Sequence, residues 1–453
     1  MGLHFKSALL PDGWASDVRV EIAGGRFASV ERNAMPRADD EQVMVVLPAM
    51  CNVHSHGFQR GMAGLTEFRG PEADNFWSWR TLMYRFVARM TPEDIGAITA
   101  QSYVEMLEGG FTRVGEFHYV HHDPAGNPYA NPAETAEHVA AAAARTGIAL
   151  TLLPVFYAHG GFGGAAPSEG QRRFINDLDG FARLLAASRK IVTAQDGATL
   201  GVAPHSLRAV SPGELAQVVA LGGSGPIHIH AAEQTGEVVQ CLEWSGARPV
   251  QWLLDHAAVD RRWCLIHATH MTDEECRGLA ARGAVAGLCP VTEANLGDGI
   301  FSGPTFLGAG GVFGIGTDSN VSISVADELR QFEYSQRLRD RARNVTGAGD
   351  ARSTGRVLFE SAVRGGAQAL GIAAMDAGIA RGAAADFLSL DPGTAALAGK
   401  EGDGVLDSLI FAGGRGCIDG VWCSGRRQVW QGRHQARDEV ARQYQATLRR
   451  MLS

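Results

Sequence analysis

Strand-like apolar runs recur eight times through the middle of the sequence, at 43–47 with a continuation to 56, 112–119, 148–157, 199–204, 226–230, 263–267, 284–288 and 312–316. Each gives way to polar or glycine-rich residues and then to a helical pattern. Strand followed by helix, repeated, implies parallel strands. Eight such units predict a closed (β/α)8 barrel rather than an open sheet. Three of the helices carry their own start signal. Thr91-Pro92-Glu93-Asp94, Ser211-Pro212-Gly213-Glu214 and Thr272-Asp273-Glu274-Glu275 each place a hydroxyl at the N-cap and a carboxylate three residues on, so side chains satisfy the orphan amides of the first turn.

The two ends read differently. Residues 18–22 alternate, 23–26 turn and 27–30 resume, and 385–390, 420–423 and 428–430 repeat that style, which predicts one small sheet built from both termini. The expected class is α/β: a TIM-type (β/α)8 barrel over 47–375, a small β-sandwich domain from 1–46 plus 376–435, and a C-terminal helix over 436–453. A net charge of −8, with no basic run interleaved with aromatics, argues against nucleic acid and anionic membrane surfaces as partners. No apolar stretch approaches membrane-spanning length. Seven cysteines without CxxC spacing suggest neither a disulfide framework nor a structural zinc knot. With no secretory signal pattern at Met1, the expected location is the cytoplasm.

Barrel chemistry belongs at the C-terminal ends of the strands, and the polar residues gather there. His54 and His56 end the first apolar run, two residues apart, so both imidazoles face one side of a strand and can reach one metal ion. Alone, such a pair is a weak signal. His230 ends a second run with Glu233 just beyond, a third imidazole with a nearby carboxylate suited to proton shuttling. The plainer alternatives are a core role for His228 and a helix-first-turn acid at Glu233. His267 ends the next run, and Asp318 follows the last, where its alternative is a turn cap. The order HxH, His, His, Asp at successive strand ends makes a site suited to zinc, with iron or manganese as alternatives.

On these residues the chain resembles the amidohydrolase superfamily along nearly its whole length, and the His230-x-x-Glu233 arrangement is similar to its deaminase branch. The strand 199–204 lacks the lysine that bridges two metals in binuclear members, which implies one Zn2+ per subunit. The stretches 52–60, 115–122, 204–208, 289–299 and 328–330 resemble the formimidoylglutamate deiminase family of histidine degradation in particular. That resemblance implies His54, His56, His230 and Asp318 as metal ligands, and Glu233, His267 and Asp318 as catalytic groups. It further implies a small dicarboxylate amidine, N-formimino-L-glutamate, as substrate and a homodimer as the assembly. Two carboxylates call for planar guanidinium grips. Arg80 and Arg208 are the candidates, helped by Gln59, Tyr119 and His205. Arg80 has a competing reading as part of a packed amphipathic helix, and Trp77 and Trp79 are expected to be packing residues. Two other functions compete: a nucleobase or triazine deaminase of the same superfamily, and a catalytically inactive binding barrel.

Overall fold

The computed structural model describes residues 1–68, 75–347 and 353–453. Eight parallel strand positions close a barrel: Met50–Ser55, Phe111–His118, Ala149–Phe156, Thr199–Leu200 continued by Ala203–Pro204, Ile227–Ala231, Trp263–His267, Val285–Leu288 and Val312–Ile315. In that order, strand eight returns to strand one through Ile315 and Asn52. Strands four and five meet through the parallel bridges Val202–Ile227 and Ser206–His230. Strands two, five and six are buried at every residue, as expected where helices cover one face and the barrel core fills the other. Strand four is split at Gly201, where a Cβ would fall 2.5 Å from the Pro226 carbonyl oxygen. The three expected helix starts are all present. Thr91, Ser211 and Thr272 accept the amide three residues on, and Asp94, Glu214 and Glu275 return the bond.

The termini form a second, eight-stranded sheet. Its seam is the antiparallel pairing of Phe387–Leu390 with the end of Glu41–Pro48. It curls so that the edge strand Arg26–Glu31 meets the chain again at Ala384. The small core inside contains Phe5, Phe27, Phe387 and Trp422, with the last two rings stacked at 4.5 Å. The fold is thus a (β/α)8 barrel carrying a small β-sandwich made from both ends of the chain.

One expectation is corrected. The run 43–47 does not open the barrel; it lies in Glu41–Pro48 of the terminal sheet, and barrel strand one begins at Met50. Val43 and Val46 bury into the small core while Leu47 and Met50 bury into the large one. A single apolar stretch serves two cores, and periodicity does not divide it.

The C-terminal helix Arg437–Leu452 lies on the barrel helix Pro92–Glu108. Arg437 pairs with Glu108 and Arg450 with Asp94, and the Tyr444 hydroxyl donates to the Arg60 carbonyl at 3.2 Å. Among the described residues no helix is long and apolar enough to cross a membrane.

Candidate active site

Strand one delivers His54 and His56 to the same side, with ring centroids 4.7 Å apart. His230 closes the apolar part of strand five, and its Nε2 lies 3.2 Å from His54 Nε2. Asp318, three residues past strand eight, places Oδ1 3.4 Å from His54 Nε2 and 3.3 Å from His56 Nε2. All four side chains are buried. The His56 Nδ1–H donates to the Phe117 carbonyl at 2.9 Å and the His230 Nδ1–H to the His205 carbonyl at 3.1 Å. Those bonds set the tautomers and leave each Nε2 lone pair aimed inward. Burial lowers His54 to about 3 and lowers His56 as well, favouring the neutral imidazoles that metal ligation requires. Burial opposes ionisation of Asp318, yet the His54 hydrogen bond and the surrounding imidazoles hold it well below the usual carboxylate range. Three imidazole nitrogens and a carboxylate oxygen converging in a dry site match the donor set of a borderline divalent ion such as zinc. The facing nitrogens of His54 and His230 are the observation that fits this ion.

The backbone is bent to build the cluster. Ala232, His267 and Asp318 have φ of 52°, 67° and 44°, left-handed conformations that cost about 1–3 kcal/mol each in non-glycine residues. Neighbouring side chains hold them. The Glu237 carboxylate accepts the Ala232 and Glu233 amides, both at 3.1 Å. The Asn320 Nδ2 donates to the carbonyls of His56 and Asp318 at 3.1 and 3.0 Å. Gly316 lets strand eight close on strand one, because a Cβ there would sit 2.8 Å from the His54 amide nitrogen and carbonyl oxygen. Gly316→Ala is therefore expected to cost about 1–3 kcal/mol of stability and to weaken metal retention. Calorimetry and metal analysis after dialysis check it, and native values in both would refute this role.

Beside the cluster, His267 Nε2 lies 3.9 Å from Asp318 Oδ2 and 3.7 Å from Glu233 Oε1. Burial lowers the His267 imidazole, but Glu233, Glu293 and Asp318 outweigh it and hold it up at about 10. Burial pushes the Glu233 carboxyl up to about 7 against the pull of His267 and Arg208. His228, by contrast, points away from the cluster and bonds the Ala369 carbonyl at 2.8 Å, a core histidine.

A cavity of about 680 Å³, counting its open mouth, is lined by His56, His230, His267, Glu233 and Asp318 at one end and by Arg80 and Arg208 elsewhere. Gln59, Tyr119 and His205 line it too, with Gln59 Nε2 donating to the Tyr119 hydroxyl at 2.8 Å. Every site residue singled out in the sequence is here except His54, which is fully buried behind the others. Arg80 does lie on an amphipathic helix, Phe76–Val87, and also borders the cavity. Trp77 is more than packing, since its ring carries the Arg80 guanidinium at 4.4 Å and lies 6.0 Å from that of Arg208. Trp79 likewise borders the cavity. Sequence reasoning missed Met83, Tyr84, Tyr157, Phe174 and Leu296 in the lining. Tyr157 offered a signal as the last residue of an apolar run, and Leu296 as part of the stretch 289–299.

A barrel with this ligand pattern at its strand ends is the architecture of metal-dependent hydrolases. The chain belongs to the amidohydrolase family, whose profile matches residues 45–427. A second profile, described as the N-terminal domain of formimidoylglutamate deiminase HutF, matches residues 2–43. The formimidoylglutamate deiminase of Pseudomonas aeruginosa is 51% identical over 447 residues, 98% of each chain. A 5-methylthioadenosine/S-adenosylhomocysteine deaminase of Natronomonas pharaonis is 31% identical over 83% of this chain and 80% of its own. Among solved structures, an amidohydrolase from Brucella melitensis superposes with a TM-score of 0.97 at 58% identity, covering all of both chains. An adenosine deaminase from Xanthomonas campestris with bound zinc shares the fold at a TM-score of 0.79 and 21% identity, covering 99% of this chain and 98% of its own.

Proposed function

We propose that the protein hydrolyses N-formimino-L-glutamate to N-formyl-L-glutamate and ammonia, a step of L-histidine degradation. The observation that carries this reading is a pair of arginines in the same cavity as the histidine–aspartate cluster and Glu233. Among the described residues neither Arg80 nor Arg208 forms a salt bridge, although Glu237 and Glu233 stand near enough to favour the Arg208 charge, so both guanidinium groups are available to a dicarboxylate ligand. The relative in Pseudomonas aeruginosa and the matching N-terminal profile support the same substrate.

His54, His56, His230 and Asp318 would hold one Zn2+ per chain, with Fe2+ or Mn2+ as alternatives. The ion would supply Lewis acidity, which makes a water acidic enough to ionise near neutral pH. Asp318 and His267 orient the attacking water, and Glu233, held up at about 7, accepts its proton. Addition at the formimino carbon gives a tetrahedral centre, and Glu233 delivers a proton to the nitrogen that leaves as ammonia. Arg208 and Arg80 grip the two carboxylates, while Gln59, Tyr119 and His205 line the path of the amidine. A reducing cytoplasm suits seven free cysteines, six of them buried. The homodimer expected from the family is open to light scattering.

A substrate panel tests the reading. Ammonia release from N-formimino-L-glutamate is expected, with little from guanine, cytosine or methylthioadenosine; the reverse order sinks it. A nucleobase would leave two buried or half-buried guanidinium groups without a ligand carboxylate to pair with, which disfavours that alternative.

A further inference from the structure

We propose that Glu293 is a positioning residue for this hydrolysis: it holds His267 in its working orientation, acting through the imidazole and not on the substrate. The role given to His267 under the proposed function is presupposed. Glu293 lies in the short helix Pro290–Leu296 that follows strand seven. It is only 5% exposed, and one oxygen, Oε1, receives two donors. They are the His267 Nδ1–H at 3.2 Å and the Cys289 amide at 2.8 Å. The other imidazole nitrogen, His267 Nε2, is buried without a hydrogen-bond partner among the described residues and faces Glu233 and Asp318. An imidazole tied at Nδ1 to a buried carboxylate and open at Nε2 has the arrangement that fixes tautomer and ring direction in acyl-transfer triads.

Two features distinguish this from packing. A buried carboxylate is costly without charged or multiple donors, and His267 is one of the two donors that Glu293 has. His267 also stands at a φ of 67°, off the regular strand path, so strand geometry alone does not aim its ring. Glu293 keeps the proton on Nδ1, and exchange with water or substrate is confined to Nε2. The Cys289 amide pins Oε1 in place, so the acceptor does not swing away from the imidazole.

The test measures kcat and KM with N-formimino-L-glutamate for Glu293→Ala and Glu293→Gln, each in the native and the His267→Asn backgrounds. Metal content is measured alongside. Proton NMR of 15N-histidine-labelled protein follows the His267 Nδ1–H, assigned by its loss in His267→Asn. Misaiming one reacting group costs about 100-fold, so Glu293→Ala is expected to lower kcat by about that factor, with KM within about twofold and the metal retained. Glu293→Gln keeps a pinned acceptor oxygen, so the expected loss is about tenfold or less. In the His267→Asn background neither change should cost more than about twofold further, because residues acting as a unit are not additive. The Nδ1–H signal should survive in Glu293→Gln and vanish in Glu293→Ala.

Equal losses with and without His267, a loss confined to KM, or an Nδ1–H signal unmoved by Glu293→Ala would each overturn the assignment. If Glu293→Ala does not fold, Glu293→Gln decides: a slow, additive loss in the His267→Asn background or loss of the Nδ1–H signal refutes, and a mild, non-additive loss with the signal kept supports. Failure of the native enzyme to release ammonia from N-formimino-L-glutamate would sink the substrate reading instead, and the NMR arm would still judge Glu293.

Discussion

Replacing Glu233 with Gln is expected to leave the metal bound and to cut turnover roughly 10²–10⁴-fold, the usual worth of a positioned proton donor or acceptor. Glu233 borders the cavity without joining the convergent trio of His54, His56 and His230, which Asp318 Oδ1 approaches at 3.3–3.4 Å. His267 Nε2 stands across the site from the Glu233 Oε1 at 3.7 Å. Burial holds its carboxyl up at about 7, so the group can both take and give a proton near neutrality. Its own amide and that of Ala232 are fastened to Glu237, which keeps the side chain on station while the substrate changes shape. Gln preserves volume and hydrogen bonding but carries no transferable proton, so kcat should fall while KM stays within a few-fold. Steady-state ammonia release, with metal analysis on the same sample, measures both. Undiminished turnover would remove Glu233 from the proton path, and loss of metal would move it into the ligand set.

The sequence showed the barrel because its strands are buried on both faces, and such strands read as unbroken apolar runs between caps. Thr91, Ser211 and Thr272 marked helix starts for the same local reason: a capping box needs only residues three apart. The join between the two parts was not legible, since Glu41–Pro48 and Met50–Ser55 are both apolar and differ only in which core they face. Likewise, His54, His56, His230, His267 and Asp318 were visible because a polar residue at a barrel strand end states its own location. Arg80 was ambiguous because helix Phe76–Val87 has an apolar face whether or not it overhangs a cavity. Met83 and Tyr84, on that helix, look like core residues in the sequence. Glu237, Glu293 and Asn320 were hidden for another reason. Each acts by bonding a backbone group or a side chain at the site, and nothing in the spacing of Glu293 from His267, 26 residues away, announces such a bond.

Arg208→Met is expected to separate binding from folding. Arg208 is 8% exposed, and its Nε has no hydrogen-bond partner among the described residues. Burial disfavours its charge, but Glu237 and Glu233 outweigh that and keep the guanidinium charged. Among the described residues no hydrogen bond or salt bridge depends on it, so the variant should melt within about 2–3 °C of the native enzyme, the range of a small stability change. The substrate carboxylate would lose two charge-assisted hydrogen bonds worth about 1.5–3 kcal/mol each. Allowing for incomplete additivity, kcat/KM should fall roughly 10²–10³-fold, mainly through KM. Arg208→Lys should recover little of this, since a lone ammonium does not reproduce the planar two-pronged grip. Arg80 is half-buried against Trp77, and Arg80→Met is expected to cost less, about tenfold, because solvent already weakens its pull. A substrate lacking one carboxylate then assigns the grips. If Arg208 holds the missing group, the truncated amidine should be no worse a substrate for Arg208→Met than for the native enzyme on a relative scale, while Arg80→Met still loses its tenfold. Full additivity of both arginines with both carboxylates would show that neither guanidinium grips a carboxylate directly, and would leave them as a diffuse field drawing the dianion into a protein whose own charge is −8.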